Sequence, residues 1–203
     1  MRYFVRMVVH AVRQAPPPSL SLIGASLGVV ATLVILERLF PGRSGFDVFL
    51  AAFLVGSLIR LSSYLHRSQP HAGPSAIGAA LIAAAVLATM HFQDPIWMQR
   101  VNTITSLIFV GLFASDLATS DFSLTRRYFS GADWVEIYPR LAWIRVVIYA
   151  GLAVANEIAI AITSPSGWLV YWAIMAPVMH YVWLASADIA YWTRPGAEDG
   201  TEV

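Results

Sequence analysis

The chain is dominated by long apolar runs that are separated by short polar connections. A helix needs roughly 20 mostly apolar residues to cross a ~30 Å hydrocarbon core. Runs of about this length occur at Leu20–Leu36, Phe46–Leu65, Pro74–Phe92, Ile96–Leu117, Leu141–Ile162 and Trp168–Tyr191. They lack the alternation of barrel strands, and helices satisfy their own backbone amides in lipid. The pattern predicts an all-α fold, a polytopic transmembrane helical bundle with about six spans.

Composition agrees with a bilayer environment. Hydrophobic residues make up 58% of the chain and charged residues only 12%, against about 25% charged in a soluble domain. We expect a basic amphipathic N-terminal segment at 1–19, a six-helix membrane domain at 20–192 and an acidic tail at 193–203. The first segment places Arg2, Arg6, His10 and Arg13 on one helical face, which suits lipid phosphates. A partly ordered basic tail is the alternative.

The distribution of arginine predicts the orientation in the membrane. All thirteen basic residues are arginine, and cytoplasmic loops are enriched in such residues. With six spans and both termini cytoplasmic, the outer side holds only Arg38, Arg43 and Arg100. The inner side then holds the other ten, namely Arg2, Arg6, Arg13, Arg60, Arg67, Arg126, Arg127, Arg140, Arg145 and Arg194. This asymmetry favours a multi-pass chain in a lipid bilayer with both termini inside, and the lack of lysine with many alanines and arginines suits a bacterium of high GC content.

Several classes of chemistry lack their sequence signature. The chain has no cysteine, which excludes disulfides, thiolate metal sites and a cysteine nucleophile. Gly-rich phosphate loops, His-Glu-x-x-His and Gly-x-Ser-x-Gly patterns do not occur. The net charge of +1 without a dense basic run does not indicate nucleic acid as a partner. We therefore expect no enzyme, no catalytic residue, no metal site and no cofactor.

Glu157 and Asn156 are the most informative polar residues, because ionisable groups within spans are costly and usually functional. Glu157 lies five residues before the outer end of its run, about 8 Å deep at 1.5 Å per residue. It is either a structural hydrogen-bonding anchor between helices or a carboxylate that handles protons or cations. A polar stripe in the fourth run offers interhelical bonds or a lined pathway; it comprises Asn102, Thr103, Thr105 and Ser106.

Other polar positions suggest local roles. His180 lies near the middle of the last run, where it could ligate haem or pigment or bond a neighbouring helix. No second histidine lies at a similar depth, so a structural role is preferred and His180 is only a weak cofactor candidate. Asp116 and Arg145 lie at inner helix ends and could pair. The third run is rich in small residues, with Gly78 and many alanines, which predicts a central position in the bundle.

The second half of the chain carries a recognisable pattern. Trp134 precedes Arg140-Leu141-Ala142-Trp143, and Asn156-Glu157 follows later in the same run. Trp168–Pro177 then resembles a characteristic last helix. Over about Ala76–Ala187 the chain resembles the intracellular septation protein A family of bacterial inner-membrane proteins. It is similar to a diverged member, because Ala118-Thr119-Ser120 and Tyr171-Trp172 stand where the family commonly has lysines.

The resemblance implies a non-enzymatic accessory or scaffold protein that acts in cell division, septation or the cell envelope through other inner-membrane proteins. Carried over by position, it points to Arg140, Trp143, Asn156 and Glu157 for assembly, without a catalytic role. Two alternatives stay open. One is a small proton-coupled transporter that uses Glu157, and the other is an accessory subunit of a photosynthetic or respiratory complex.

Overall fold

A computed structural model of the chain describes residues 9, 13, 16–18, 20–41, 45–65, 72–128 and 132–192. The predicted tail at 193–203 lies outside these residues, as do Arg2, Arg6 and His10 of the N-terminal segment. The division of the sequence at residues 19 and 192 therefore stays a prediction.

Helices account for nearly all of this described part, which contains no strand. They are α1 (Leu20–Leu39), α2 (Gly45–Leu65), α3 (Ala72–Phe92), α4 (Ile96–Thr119), the short α5 (Ser123–Tyr128), a 3₁₀ segment (Ala132–Ile137), α6 (Tyr138–Ile162) and α7 (Pro165–Trp192). The all-α fold class is confirmed. Several helices are longer than their apolar runs, because polar and aromatic residues extend their ends.

Four helical stretches are long and apolar enough to cross a membrane: Leu22–Leu39, Ile96–Thr119, Val135–Ile162 and Pro165–Tyr191. Two shorter apolar stretches are Gly45–Ile59 and Ala80–Phe92. The membrane character that the composition predicts is thus supported by four of the described helices.

A tight hairpin joins α3 to α4. Gln93 takes a left-handed backbone conformation with φ of 56°, which commonly ends a helix. Its side chain donates a hydrogen bond back to the Met90 carbonyl over 2.8 Å. Asp94 Oδ1 accepts from the Ile96 amide at 2.9 Å and so caps the first turn of α4. Gln93 and Asp94 thus form a tight turn between the two helices.

The chain divides into two compact units. The first, here called the Trp168 unit, comprises Pro18–Thr105 and Leu152–Val178. The second, the Trp183 unit, comprises Ser106–Gly151 with the described residues of 1–17 and 179–203.

Aromatic rings from α2 and α7 form the core of the Trp168 unit. Phe53 stacks on Trp172 with 5.1 Å between ring centroids, and Phe49 lies 6.2 Å from Trp168. These separations suit favourable offset and tilted ring packing. Around the rings lie buried aliphatic side chains from α1 and α4, namely Val29, Leu33, Met98 and Val101.

Helices α1 and α2 approach closely at Gly56. A Cβ atom at this position would collide with Val29 Cγ2 and lie 2.9 Å from Trp172 Cζ3. A hydrogen side chain is therefore required for the backbone of α2 to reach α1 and α7. Small residues commonly allow such close approach between helices in lipid.

The central position predicted for α3 is wrong. Of its described side chains, Ala85 and Thr89 are buried, whereas Ala83, Ala84 and Leu87 are exposed, with Leu87 at 68%. Small side chains allow close packing on any face of a helix, but they do not require it. The large aromatic side chains of α2 and α7 form the core instead.

Candidate functional site

Asn156 joins three helices of the Trp168 unit. Its Nδ2 donates to the Gln99 carbonyl and to Thr103 Oγ1 on α4, each at 2.9 Å. Its Oδ1 accepts a hydrogen bond from the Trp168 indole nitrogen on α7 at 3.0 Å. The side chain is 2% exposed, and both amide hydrogens are used. Asn156 therefore acts as a buried polar junction between α4, α6 and α7.

Glu157, the next residue on α6, has a different environment. Its Oε1 accepts a hydrogen bond from Thr103 Oγ1 at 2.6 Å, and its Oε2 lies 3.7 Å from Arg100 Nε. The side chain is 41% exposed, and that of Arg100 is 55% exposed. Thr103 thus donates to Glu157 and accepts from Asn156, so the buried junction holds one carboxylate oxygen in place.

Exposed apolar side chains lie within four residues of Arg100 on α4 and of Glu157 on α6. On α4, Trp97 is 43% and Ile104 is 44% exposed; on α6, Val154 is 59% and Ile158 is 53% exposed. We call this patch the Arg100–Glu157 surface; it comprises Trp97, Arg100, Ile104, Val154, Glu157 and Ile158. An ion pair in an apolar rim is unusual for a face that meets only lipid, because partial desolvation is costly for both ions.

The two neighbours on α6 therefore offer different chemistry. Asn156 makes its hydrogen bonds to neighbouring helices inside the fold and so stabilises the helix packing. Glu157 keeps lone pairs, and Arg100 keeps guanidinium hydrogens, at an exposed face. The pair can accept and donate further hydrogen bonds to a group that approaches from outside the Trp168 unit.

The sequence identified Asn156, Glu157 and Thr103, but it missed three of their partners. Gln99 contributes only its backbone carbonyl, which no side-chain pattern could indicate. In the sequence, Trp168 marks only the start of the last run and of its resemblance to the family, and Arg100 is only one of the outer arginines. The available signal for Arg100 was its depth, since it lies one turn inside α4, as Glu157 lies inside α6.

Asp116 holds the connection after α4 in the Trp183 unit. Its Oδ1 accepts from the Leu124 amide at 3.2 Å, and its Oδ2 accepts from the Thr125 amide at 2.7 Å and the Thr125 hydroxyl at 2.8 Å. The residue is 4% exposed. Asp116 therefore anchors the first turn of α5. Its predicted pairing with Arg145 stays a prediction.

Arg145 is stacked on an aromatic ring. Its guanidinium carbon lies 3.9 Å from the centroid of the Trp183 ring, and the residue is 8% exposed. Trp183 in turn lies 5.0 Å from Tyr149, which stacks at 4.8 Å on Phe109. Such cation–π contacts are strongest when the cation is desolvated, so Arg145 is held within the Trp183 unit.

Arg140 and Trp143 lie in the first turns of α6, in the other unit from Asn156 and Glu157. Trp143 is 59% exposed. Arg140 is half-buried, and its Nη1 has no hydrogen-bond partner among the described residues. The structure thus does not place these two carried-over residues in the Asn156 junction.

His180 contacts the chain segment before α1. Its Nε2 lies 2.9 Å from the Pro16 carbonyl oxygen. Because a carbonyl only accepts, Nε2 carries the hydrogen and has no lone pair for a metal. This contact supports the structural role that the sequence analysis preferred for His180.

No group of three His, Asp, Glu or Cys side chains in the described part of the chain could hold a metal ion. Comparison of the chain with protein-family models, with curated proteins and with solved structures finds no match.

Proposed function

We propose that this chain is a non-enzymatic accessory protein of the bacterial inner membrane that binds other membrane proteins through the Arg100–Glu157 surface. The observation that carries this proposal is the position of Glu157. One carboxylate oxygen is fixed by Thr103, while the side chain remains 41% exposed beside Arg100 in an apolar rim. A protein partner would remove these charges from lipid and supply further hydrogen bonds.

The proposed topology has six spans with both termini cytoplasmic. Helices α2 and α3 have 21 residues each, or about 31 Å at 1.5 Å per residue, which matches a hydrocarbon core of ~30 Å. Together with the four longer apolar stretches they make six. The excess of arginine on one side supports the orientation.

A role in cell division or envelope maintenance rests on the resemblance to the septation protein A family. The Asn-Glu pair is the most polar part of that pattern, and here Asn156 stabilises the helix packing that presents Glu157. This arrangement supports an assembly role for Glu157. It favours assembly over proton-coupled transport, since Asn156 bonds to neighbouring helices and Thr103 holds one Glu157 oxygen in place.

The proposal is tested by isolating the complexes of the full chain from native membranes in mild detergent. Wild type and Glu157→Gln are compared by quantitative mass spectrometry of the co-purifying proteins. Loss of the charge weakens the contact, and we expect at least a roughly tenfold loss of specific partners, since close charge pairs across interfaces contribute about 1.5 kcal/mol or more.

Glu37→Gln is the matched control, because Glu37 is an exposed carboxylate at the end of α1 in the same unit. It should keep the partners. An unchanged partner set in Glu157→Gln, with a differently tagged second copy of the chain counted among the partners, would contradict the proposal. Flux into proteoliposomes that depends on Glu157 would support the transporter, and a pigment or haem absorbance would support the bioenergetic subunit.

A further inference from the structure

Arg100 and Glu157 lie at nearly the same height on antiparallel helices. Arg100 is four residues after the start of α4 at Ile96, and Glu157 is five residues before the end of α6 at Ile162. At 1.5 Å per residue, Arg100 lies about 6 Å and Glu157 about 8 Å from the end of the α4–α6 pair at which α4 begins and α6 ends. The two charges therefore form a row across the exposed face rather than along it.

A row of one cation and one anion at equal height is self-complementary. When such a face is rotated by 180° about an axis parallel to the helices, the order of the two charges is reversed at unchanged height. Each cation then meets the anion of the other copy. Symmetric dimers use this kind of isologous contact, in which the same patch faces itself.

We propose that a second copy of this chain occupies the Arg100–Glu157 surface, with each Arg100 bonded to Glu157 of the partner subunit. This inference rests on the proposed function, because it names the partner at that surface. Charge complementarity is one argument, and the unfilled hydrogen-bonding capacity of the 3.7 Å pair is another. Two pairs would form a closed network of four charges within a rim of exposed Trp97, Ile104, Val154 and Ile158.

The charge order allows a complementation experiment in native membranes with two differently tagged full-length copies. Arg100→Glu places two anions in the row, and Glu157→Arg places two cations there. Each variant should lose self-capture at least about tenfold. Co-expressed, the two variants should capture each other nearly as well as wild type captures itself, because every cation then faces an anion.

Mutual capture would also show that both variants fold. If the two single variants do not accumulate in the membrane, a second comparison tests the inference. The double variant Arg100→Glu/Glu157→Arg keeps an opposite-charge pair within each copy, so it should capture itself. It should not capture wild type, because like charges would then face each other. Capture of wild type by the double variant at the level of its self-capture would overturn the inference.

The two proposals fail differently. If wild type does not capture itself but Glu157→Gln loses other proteins, the partner is not a second copy, and the proposed function stands. Absence of both self-capture and Glu157-dependent partners overturns both. The inference is also overturned if Arg100→Glu and Glu157→Arg, each expressed alone, capture themselves as well as wild type does.

Discussion

The Trp168 indole nitrogen donates a hydrogen bond to Asn156 Oδ1 across 3.0 Å, and this bond joins α7 to α6 in a buried position. The same amide binds α4 through the Gln99 carbonyl and Thr103. A polar junction of this kind fixes the lateral order and the height of three helices. It thereby sets where Glu157, the next residue, meets the outside of the unit.

Asn156→Ala should destabilise the fold. The substitution removes three hydrogen bonds and leaves the Trp168 N–H and the Gln99 carbonyl without this partner. Interhelical bonds in membranes average about 0.6 kcal/mol each, so we expect a loss of about 2 kcal/mol. The free energy of unfolding in mixed micelles measures it. The control is Asn102→Ala, since Asn102 is a half-buried asparagine on α4. Equal losses of unfolding free energy in both variants would contradict a stabilising role for the Asn156 hydrogen bonds.

Gly56→Ala should also destabilise the protein, but by overpacking. The new Cβ would collide with Val29 Cγ2 and crowd Trp172, and strain of this kind costs about 1–3 kcal/mol. Gly24→Ala is the matched control, since a Cβ there has no neighbour within 4 Å. Thermal unfolding in detergent gives both values. Val29→Ala should partly rescue Gly56→Ala, and absence of any rescue would argue against the α1–α2 contact.

Asp116→Ala should loosen the start of α5. The amides of Leu124 and Thr125 lose a charged acceptor, and such bonds are worth about 1.5–3 kcal/mol. Hydrogen exchange of these two amides should therefore accelerate at least about tenfold. Asp121→Asn, an exposed carboxylate in the same connection, should leave their exchange unchanged. Unaltered exchange in Asp116→Ala would show that another interaction holds α5.

Arg145→Lys should lower stability although the charge is kept. A flat guanidinium stacks on Trp183 at 3.9 Å, whereas an ammonium is more strongly hydrated and cannot stack. We expect a loss of about 1 kcal/mol in the free energy of unfolding. A double-mutant cycle with Trp183→Leu should show coupling between the two positions, while exposed Arg38→Lys should be neutral. A coupling of zero would contradict a stabilising cation–π contact.

The helices were predictable because their cause is local. Apolar runs of spanning length need internally bonded backbone, and the structure differs from the runs at the helix ends and in the connection after α4. Pro165, for example, starts α7 three residues before the apolar run at Trp168, because proline is well suited to the first turn of a helix.

The partners of the site were less predictable because they depend on which helices lie side by side. The cost of an ionisable group in a span identified Glu157, and proximity in sequence identified Asn156. The polar stripe of the fourth run indicated Thr103, but nothing local indicated that α4 would also supply the Gln99 carbonyl and Arg100. The prediction for α3 failed for a related reason, since small side chains permit close packing without selecting a neighbour.

We propose that another protein covers the Arg100–Glu157 surface in the membrane. The chain has no cysteine, so Ile158→Cys provides a single spin-label site within this surface. Ile35→Cys provides a matched site on α1, because Ile35 is 52% and Ile158 is 53% exposed and each lies four residues before the end of its helix. We would measure the collision rate of each label with oxygen dissolved in native membranes. We expect a protected label at 158, an accessible label at 35, and loss of protection at 158 in Glu157→Gln. Equal oxygen access at both sites with Glu157 intact would contradict a protein cover on this surface.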